Sequence, residues 1–232
     1  MFEQTIKNYL LDLVFPKKCL VCNQFDIWLC KSCQSQIIFE TPQICIVCKQ
    51  PSVNGQTHPN CQTRNVLDGM LAAGKFHQLQ NIIHSFKYEL VSEVSIQLSK
   101  IMINFIETNQ LKDYLKSFTF IPVPLHRTRL RYRGFNQSEL LAKYISEKLN
   151  TQLLLNVLKR NRNTSPQILL DKSHRKNNIQ NAFVCPSPGS VKNLNILLID
   201  DITTTGSTLN ECAKVLKQAG AQKVWGLVLA HG

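Results

Sequence analysis

The chain has 232 residues, room for a small metal module and one α/β domain of about 150 residues. Its longest uninterrupted apolar stretch, Val224 to Ala230, is far too short to cross a bilayer, which excludes a transmembrane segment. The net charge of +12 is uneven: His126 to Lys176 carries twelve Lys/Arg against three acids, so +9 sits in about a fifth of the chain and implies a polyanionic partner.

In chain order, Met1 to Phe15 spaces Phe2, Ile6, Tyr9, Leu10 and Leu13 as one face of an amphipathic helix, and its Glu3, Lys7 and Asp12 argue against a signal peptide. Seven of the nine cysteines follow between Cys19 and Cys61. They fall as Cys19-x2-Cys22, Cys30-x2-Cys33 and Cys45-x2-Cys48, with His58-x2-Cys61 as a fourth knuckle. Eight soft ligands suit two tetrahedral Zn2+ sites, because thiolates and imidazole are zinc's preferred donors and a two-residue knuckle aims both side chains at one ion. Sequential pairing puts Cys19, Cys22, Cys30 and Cys33 on one ion and Cys45, Cys48, His58 and Cys61 on the other. Interleaving would join the first knuckle to the third; the short gap from Cys22 to Cys30 suits one hairpin and favours the sequential double ribbon. The region is poor in apolar residues, so metal binding must supply much of its folding free energy. Free thiols and zinc knuckles point to a reducing, cytoplasmic location.

Gly69 to Phe76 reads as a strand, and Gln78–Tyr88 and Ser92–Glu107 as helices. Thr119 to Val123 is a second strand, stopped by prolines at Pro122 and Pro124. Arg127, Arg129, Arg131 and Arg133 alternate, so an extended segment would place them on one face, with Tyr132 and Phe135 interleaved. Gly134 to Leu149 predicts a helix, Leu153 to Lys159 a strand, and Arg160 to Asn181 an aperiodic flap. The basic residues Arg127, Arg129, Arg131, Arg133, Lys159, Arg160, Arg162, Lys172, Arg175 and Lys176, with Tyr132, form the candidate nucleic-acid surface. Ile196 to Ile199 is a buried parallel strand that runs into Asp200 and Asp201. Next come Thr203, Thr204, Thr205, Gly206, Ser207 and Thr208, then a helix whose Leu209, Cys212, Ala213 and Leu216 share a face up to Gly220. The helix start attracts phosphate, and Gly206 lets the backbone approach it. Asp200 and Asp201 suit ribose hydroxyls or a Mg2+ that arrives with the ligand. Lys223 to Ala230 closes the set of strands. The alternation gives a doubly wound parallel sheet.

The Asp200–Thr208 stretch resembles the phosphoribosyl-pyrophosphate (PRPP) signature of type I phosphoribosyltransferases. That resemblance implies PRPP or ribose 5-phosphate at Asp200, Asp201 and Thr203 to Thr208. It also makes Val123, Pro124, Leu125, His126 and Arg127, after the corresponding strand, the pyrophosphate loop. Taken whole, the chain is similar to the ComF family, the phosphoribosyltransferase-like proteins of bacterial competence. The similarity rests on the knuckles, Phe86-Lys87-Tyr88, Pro122-Val123-Pro124-Leu125-His126, Arg133-Gly134-Phe135-Asn136-Gln137, Pro166-Gln167, Arg175, Asn178, Phe183 and the Asp200–Thr208 loop. His58 departs from the cysteine usual in the fourth knuckle and gives that site three thiolates and one imidazole. The resemblance implies an N-terminal helix (residues 1–15), a double zinc ribbon (16–65) and a phosphoribosyltransferase-like domain (66–232). It implies a cytoplasmic protein that carries incoming single-stranded DNA during natural transformation. Two other classes stay open: a phosphoribosyltransferase acting on a base or amine, and a docking module for DNA-uptake machinery proteins such as a helicase.

Overall fold

A computed structural model describes residues 17–63, 66–88, 93–163 and 179–232. The expected N-terminal helix and most of the Arg160–Asn181 flap, with Lys172, Arg175 and Lys176, lie outside the described residues.

Four strands form one parallel sheet: β1 (Gly69–Lys75), β2 (Thr119–Pro122), β3 (Asn195–Thr203) and β4 (Lys223–His231). Their spatial order is β1-β4-β3-β2, with Gly69 opposite Trp225, Asn195 opposite Lys223 and Thr119 opposite Ile196. These strands are nearly continuous apolar runs because helices or ribbons cover both faces. Side-chain alternation divides the core in two. Leu71, Ala73, Leu197, Ile199, Leu227 and Leu229 belong to one cluster, and Met70, Ala72, Ile196, Leu198, Val224 and Val228 to the other. Helices α1 (Phe76–Tyr88), α2 (Val94–Thr108) and α4 (Gln137–Leu149) bury Phe86, Phe105 and Ile145 in the first cluster. Helix α5 (Ser207–Gln218) buries Leu209, Cys212, Ala213 and Leu216 in the second, the four positions its 3.6-residue period predicts. Fully burying each such large apolar side chain contributes roughly 1.5–3 kcal/mol.

The cysteine modules divide along the same plane. Cys19, Leu29, Cys30 and Cys33 pack in the first cluster, and Ile46 in the second. The first module is also tied to α2 by Trp28 Nε1, which donates to Glu93 at 3.1 Å, and by the Lys17–Glu93 ion pair at 2.9 Å.

Two expectations are corrected. The strand expected over Leu153–Lys159 is reduced to a single parallel bridge, Leu153 with Phe120, plus the two-residue strand Lys159–Arg160 paired antiparallel with Phe183–Val184. Asn156, at φ 63°, breaks the run between them, since left-handed backbone cannot continue a strand. The alternating arginines are not extended: Arg127–Arg133 is a helix, α3, which ends at Gly134 in the left-handed conformation (φ 76°). Residues two apart in a helix point to nearly opposite sides, so Arg129 and Arg133 are half-buried while Arg127 and Arg131 are exposed. A charged alternation has no apolar face to hold it in a sheet, and arginine and leucine favour the helix. The helix expected from Gly134 therefore starts later, at Gln137.

Candidate functional site

The carboxyl ends of β2 and β3, paired in parallel, lie side by side at one end of the sheet. Chain leaves β2 towards α4 on one face of the sheet and β3 towards α5 on the other, which opens a crevice between them, the place where open α/β sheets bind ligands. The loop after β2 is fastened on both sides. Val123 N donates to Ile199 O at 3.0 Å, and Asn136 Nδ2 donates to Val123 O at 3.1 Å. This explains the Arg133–Gln137 stretch in physical terms. Asn136 holds the loop, Gln137 reaches Phe86 O at 3.4 Å, Phe135 packs on Phe86 at 5.7 Å, and Arg133 donates to Gln137 Oε1 at 3.1 Å.

Opposite lies the β3–α5 loop. Asp200 Oδ1 accepts from Ser138 Oγ at 2.8 Å and from Asp201 N at 2.9 Å; Asp201 is buried beside it. Thr203 is also buried, and its Oγ1 accepts from Gly206 N at 3.2 Å, so this hydroxyl shapes the turn. Thr205 Oγ1 and Ser207 Oγ are 2.7 Å apart, and Ser207 N approaches Thr205 Oγ1 at 3.4 Å. Gly206 stands at φ 74°, where an L side chain would be strained.

Basic groups cluster beside the loop after β2, and one of them, Arg160, feels the charge of Asp200. His126 is buried, caps α3 by accepting from Thr128 N at 3.3 Å, and has its pKa lowered by burial and then by Arg127, Arg160 and Arg129. Burial and then Arg129 pull the Arg160 guanidinium down to about 10 against the opposing fields of Cys212 and Asp200, and its Cζ sits 5.5 Å over the Phe183 ring. Arg129 and Arg160, read from sequence as part of a nucleic-acid surface, therefore stand within electrostatic reach of His126, and Arg160 within reach of Asp200. Lys159, Arg162, Arg127 and Arg131 are exposed, as is Tyr132 at 72%. Leu125 and Pro124 are half-buried in the loop.

The metal ligands converge sequentially. Donor atoms of Cys19, Cys22, Cys30 and Cys33 lie within 4.8 Å of one another, as do those of Cys45, Cys48, His58 and Cys61. Cys22 Sγ is 3.7 Å from Cys30 Sγ, and Cys48 Sγ is 3.2 Å from His58 Nδ1. Burial raises the Cys19 thiol, but N–H donors from Cys22, Cys30 and Val21 outweigh it and hold it at about 6. Burial and the neighbouring Cys30, Cys22 and Cys19 sulfurs push Cys33 far up. In the second cluster, N–H donors from Cys48, His58 and Val47 overcome burial to hold Cys45 at about 7, while burial and the Cys48 and Cys45 sulfurs push Cys61 to about 11. Crowded thiolates repel one another, and a dication makes them compatible. Each cluster offers four soft donors, all thiolates in the first and three thiolates with an imidazole in the second, and both sets fit Zn2+.

Some functional contacts carried no signal in the sequence. Ser138 reaches Asp200 near the end of β3, and Ile46, Lys49 and His231 reach the β3–α5 loop, yet nothing marks any of them beyond the place of Ile46 inside a knuckle and of Lys49 directly after it.

Comparison with known proteins agrees with this arrangement. A double zinc ribbon domain matches residues 10–62, and a phosphoribosyl transferase domain matches residues 134–231. Competence protein F of Haemophilus influenzae is 32% identical over 209 residues, covering 87% of this chain and 90% of that protein. The chain belongs to the ComF family. Its ComF relatives include competence protein ComFC of Bacillus subtilis, 29% identical over 84% of this chain and 80% of that one. The DNA utilization protein YhgH of Escherichia coli is 34% identical over 64% of this chain and 66% of its own length. A purine phosphoribosyltransferase from Pyrococcus horikoshii overlaps 58% of this chain and 74% of its own at 20% identity, with a TM-score of 0.38. Among the described residues, no helix is long and apolar enough to cross a membrane.

Proposed function

We propose that this ComF protein serves natural transformation in the cytoplasm by binding single-stranded DNA, and that a pocket for PRPP or ribose 5-phosphate lies at the end of β3. The observation that carries the pocket is the juxtaposition of two loops. The Asp200–Thr208 turn opens a twelve-residue helix opposite Val123–Arg127, and the β2 loop is bonded to β3 itself through Val123 and Ile199. The helix N-terminus and its amides suit a 5-phosphate, and the Ser207 N–H, held by only a 3.4 Å bond inside its own loop, can exchange that partner for a phosphate oxygen. Asp200, already oriented by Ser138, and Asp201 take the ribose hydroxyls and would hold Mg2+, which when bound offsets the charge of the pyrophosphate. Val123, Pro124, Leu125, His126 and Arg127, backed by Arg129 and Arg160, take the pyrophosphate end.

The DNA reading is supported by the relatives' names and by α3, where Arg127, Arg131 and Tyr132 are exposed together. Exposed arginines neutralise backbone phosphates, and an aromatic ring exposed at 72% offers a stacking face to an unpaired base. Lys159 and Arg162, also exposed, add to the basic charge; Lys172, Arg175 and Lys176, assigned to the same surface from the sequence, lie outside the described residues.

Titrating the protein with PRPP and with single-stranded DNA, separately and together, tests both halves. Saturable binding of each supports the reading. Turnover of PRPP with an added base or amine, without DNA binding, would replace it with that of a phosphoribosyltransferase.

A further inference from the structure

The second cysteine module touches the β3–α5 loop at several points. Ile46, between Cys45 and Cys48, is buried so tightly against Gly206 that a Cβ there would stand 2.6 Å from Ile46 Cγ1. Lys49, directly after Cys48, brings Nζ to 3.3 Å from Thr204 O and 3.0 Å from His231 Nε2. His231 Nδ1 in turn lies 4.0 Å from Glu40 Oε1, on the segment between the two modules, and the second carboxylate oxygen of Glu40 is buried without a hydrogen-bond partner.

Donor bookkeeping decides the arrangement. An ammonium only donates, so His231 Nε2 must accept, and the ring proton sits on Nδ1 facing Glu40. Thr204 O and His231 Nε2, 3.2 Å apart, are then two acceptors served by one donor. The result is a chain from Glu40 through His231 and Lys49 to Thr204. A trans peptide sets its C=O and N–H in opposite directions, so drawing Thr204 O towards the ribbon turns Thr205 N–H away from it. Lys49 also has φ 63°, a left-handed conformation that glycine takes without strain and lysine does not. The backbone favours glycine here, and what lysine adds is its ammonium.

We infer that the second zinc ribbon is a working part of the phosphate loop: Lys49, carried on its metal-bound knuckle, positions Thr204 while Ile46 supports Gly206. Phosphate affinity therefore depends on the metal held by Cys45, Cys48, His58 and Cys61 more than on the metal of the first cluster. The inference rests on the reading of this loop as a phosphate site. The first module packs in the other core cluster and is bonded to Glu93. Lys49 is thus a positioning residue acting through Thr204, and the metal acts through the knuckle that carries Lys49.

Calorimetry of the full chain with ribose 5-phosphate and with inorganic phosphate, alongside zinc counts and melting curves, tests this. Lys49→Gly relieves the left-handed strain, so its melting temperature should not fall, yet phosphate affinity should drop about tenfold, the scale of one charge-assisted hydrogen bond. Lys49→Arg should recover most of that loss. His58→Ala should lose one zinc and at least as much affinity as Lys49→Gly, and more than Cys22→Ser, which loses the other zinc. Unchanged affinity in Lys49→Gly, or equal losses in His58→Ala and Cys22→Ser, would overturn the inference while leaving the phosphate site standing. A wild-type chain that binds neither probe removes the phosphate reading itself, and this inference with it.

Discussion

His231 gives the fold a pH dependence that can be worked out in advance. Its side chain is 11% exposed, and burial, followed by the charge of Lys49, lowers the imidazole from 6.5 to about 4. The unfolded chain takes up this proton near pH 6.5 and the folded chain only near 4, so between those values the unfolded state binds more protons. The neutral ring's contribution is whole above 6.5, declines as pH falls through the window and is gone below about 4. At 1.36 kcal/mol per decade the full window is worth about 3 kcal/mol. Glu40 works in the opposite sense: burial raises its carboxyl against the pull of Lys75 and Lys49, so protonating it favours the fold. The assay is urea unfolding from pH 7.5 to 4.5 of the wild type and His231→Gln, which keeps a polar side chain without a titrating ring. Taking the difference between the two series cancels the titration of the zinc ligands, which both share. Relative to wild type, the glutamine variant should gain about 2–3 kcal/mol as pH falls to 4.5. A difference that stays constant across the series would show that the ring is not held neutral, and the Glu40–His231–Lys49 arrangement would be refuted.

Elemental analysis should find two zinc ions per chain, and His58→Ala should keep one; a single ion in the folded wild type contradicts the two clusters. Asp200→Ala combined with Asp201→Ala should abolish PRPP binding with far-ultraviolet dichroism unchanged, whereas unaltered affinity would mean the acidic pair serves no ligand. If single-stranded DNA neutralises some four phosphates, log affinity should fall with log salt at a slope of about −3, and Arg127→Ala with Arg131→Ala should flatten it by about 1.4. These two contacts touch only the backbone, so every sequence should weaken alike; a slope left at its original value moves the arginines out of the DNA site.

Strands and knuckles were legible because each obeys a short-range rule. β1, β3 and β4 are apolar runs of strand length, and β3 lies between helices on both faces with Ile196 to Ile199 fully buried. The knuckle spacing is fixed by what one metal ion can reach, and the structure chose the sequential pairing that the short Cys22–Cys30 gap favoured. The arginine segment misled because alternating charge looks like strand periodicity while nothing apolar holds it in a sheet. Asn156 was illegible for a different reason: only its left-handed backbone shows that the Leu153 run ends there. The contacts among Ile46, Lys49, Thr204, Gly206 and His231 could not be read at all. Those of Lys49 join residues more than 150 positions apart, and no local pattern encodes which ribbon lands on which face of the sheet.

The position of β4 has a consequence for how the protein is made. This strand lies between β1 and β3, and Asp68, just before β1, accepts a hydrogen bond from Val224, 156 residues further along. During synthesis β1 therefore emerges with upstream Glu40 and Gln43 able to bond one side of it, while the apolar edge that takes β4 must wait for almost the whole domain to follow. Each cysteine cluster is contained within a short stretch upstream and can take up its metal in that interval. The nascent chain thus carries closed, metal-loaded modules against one side of a strand whose other side is open, and the arrival of β4 shields that exposed edge from pairing with other chains.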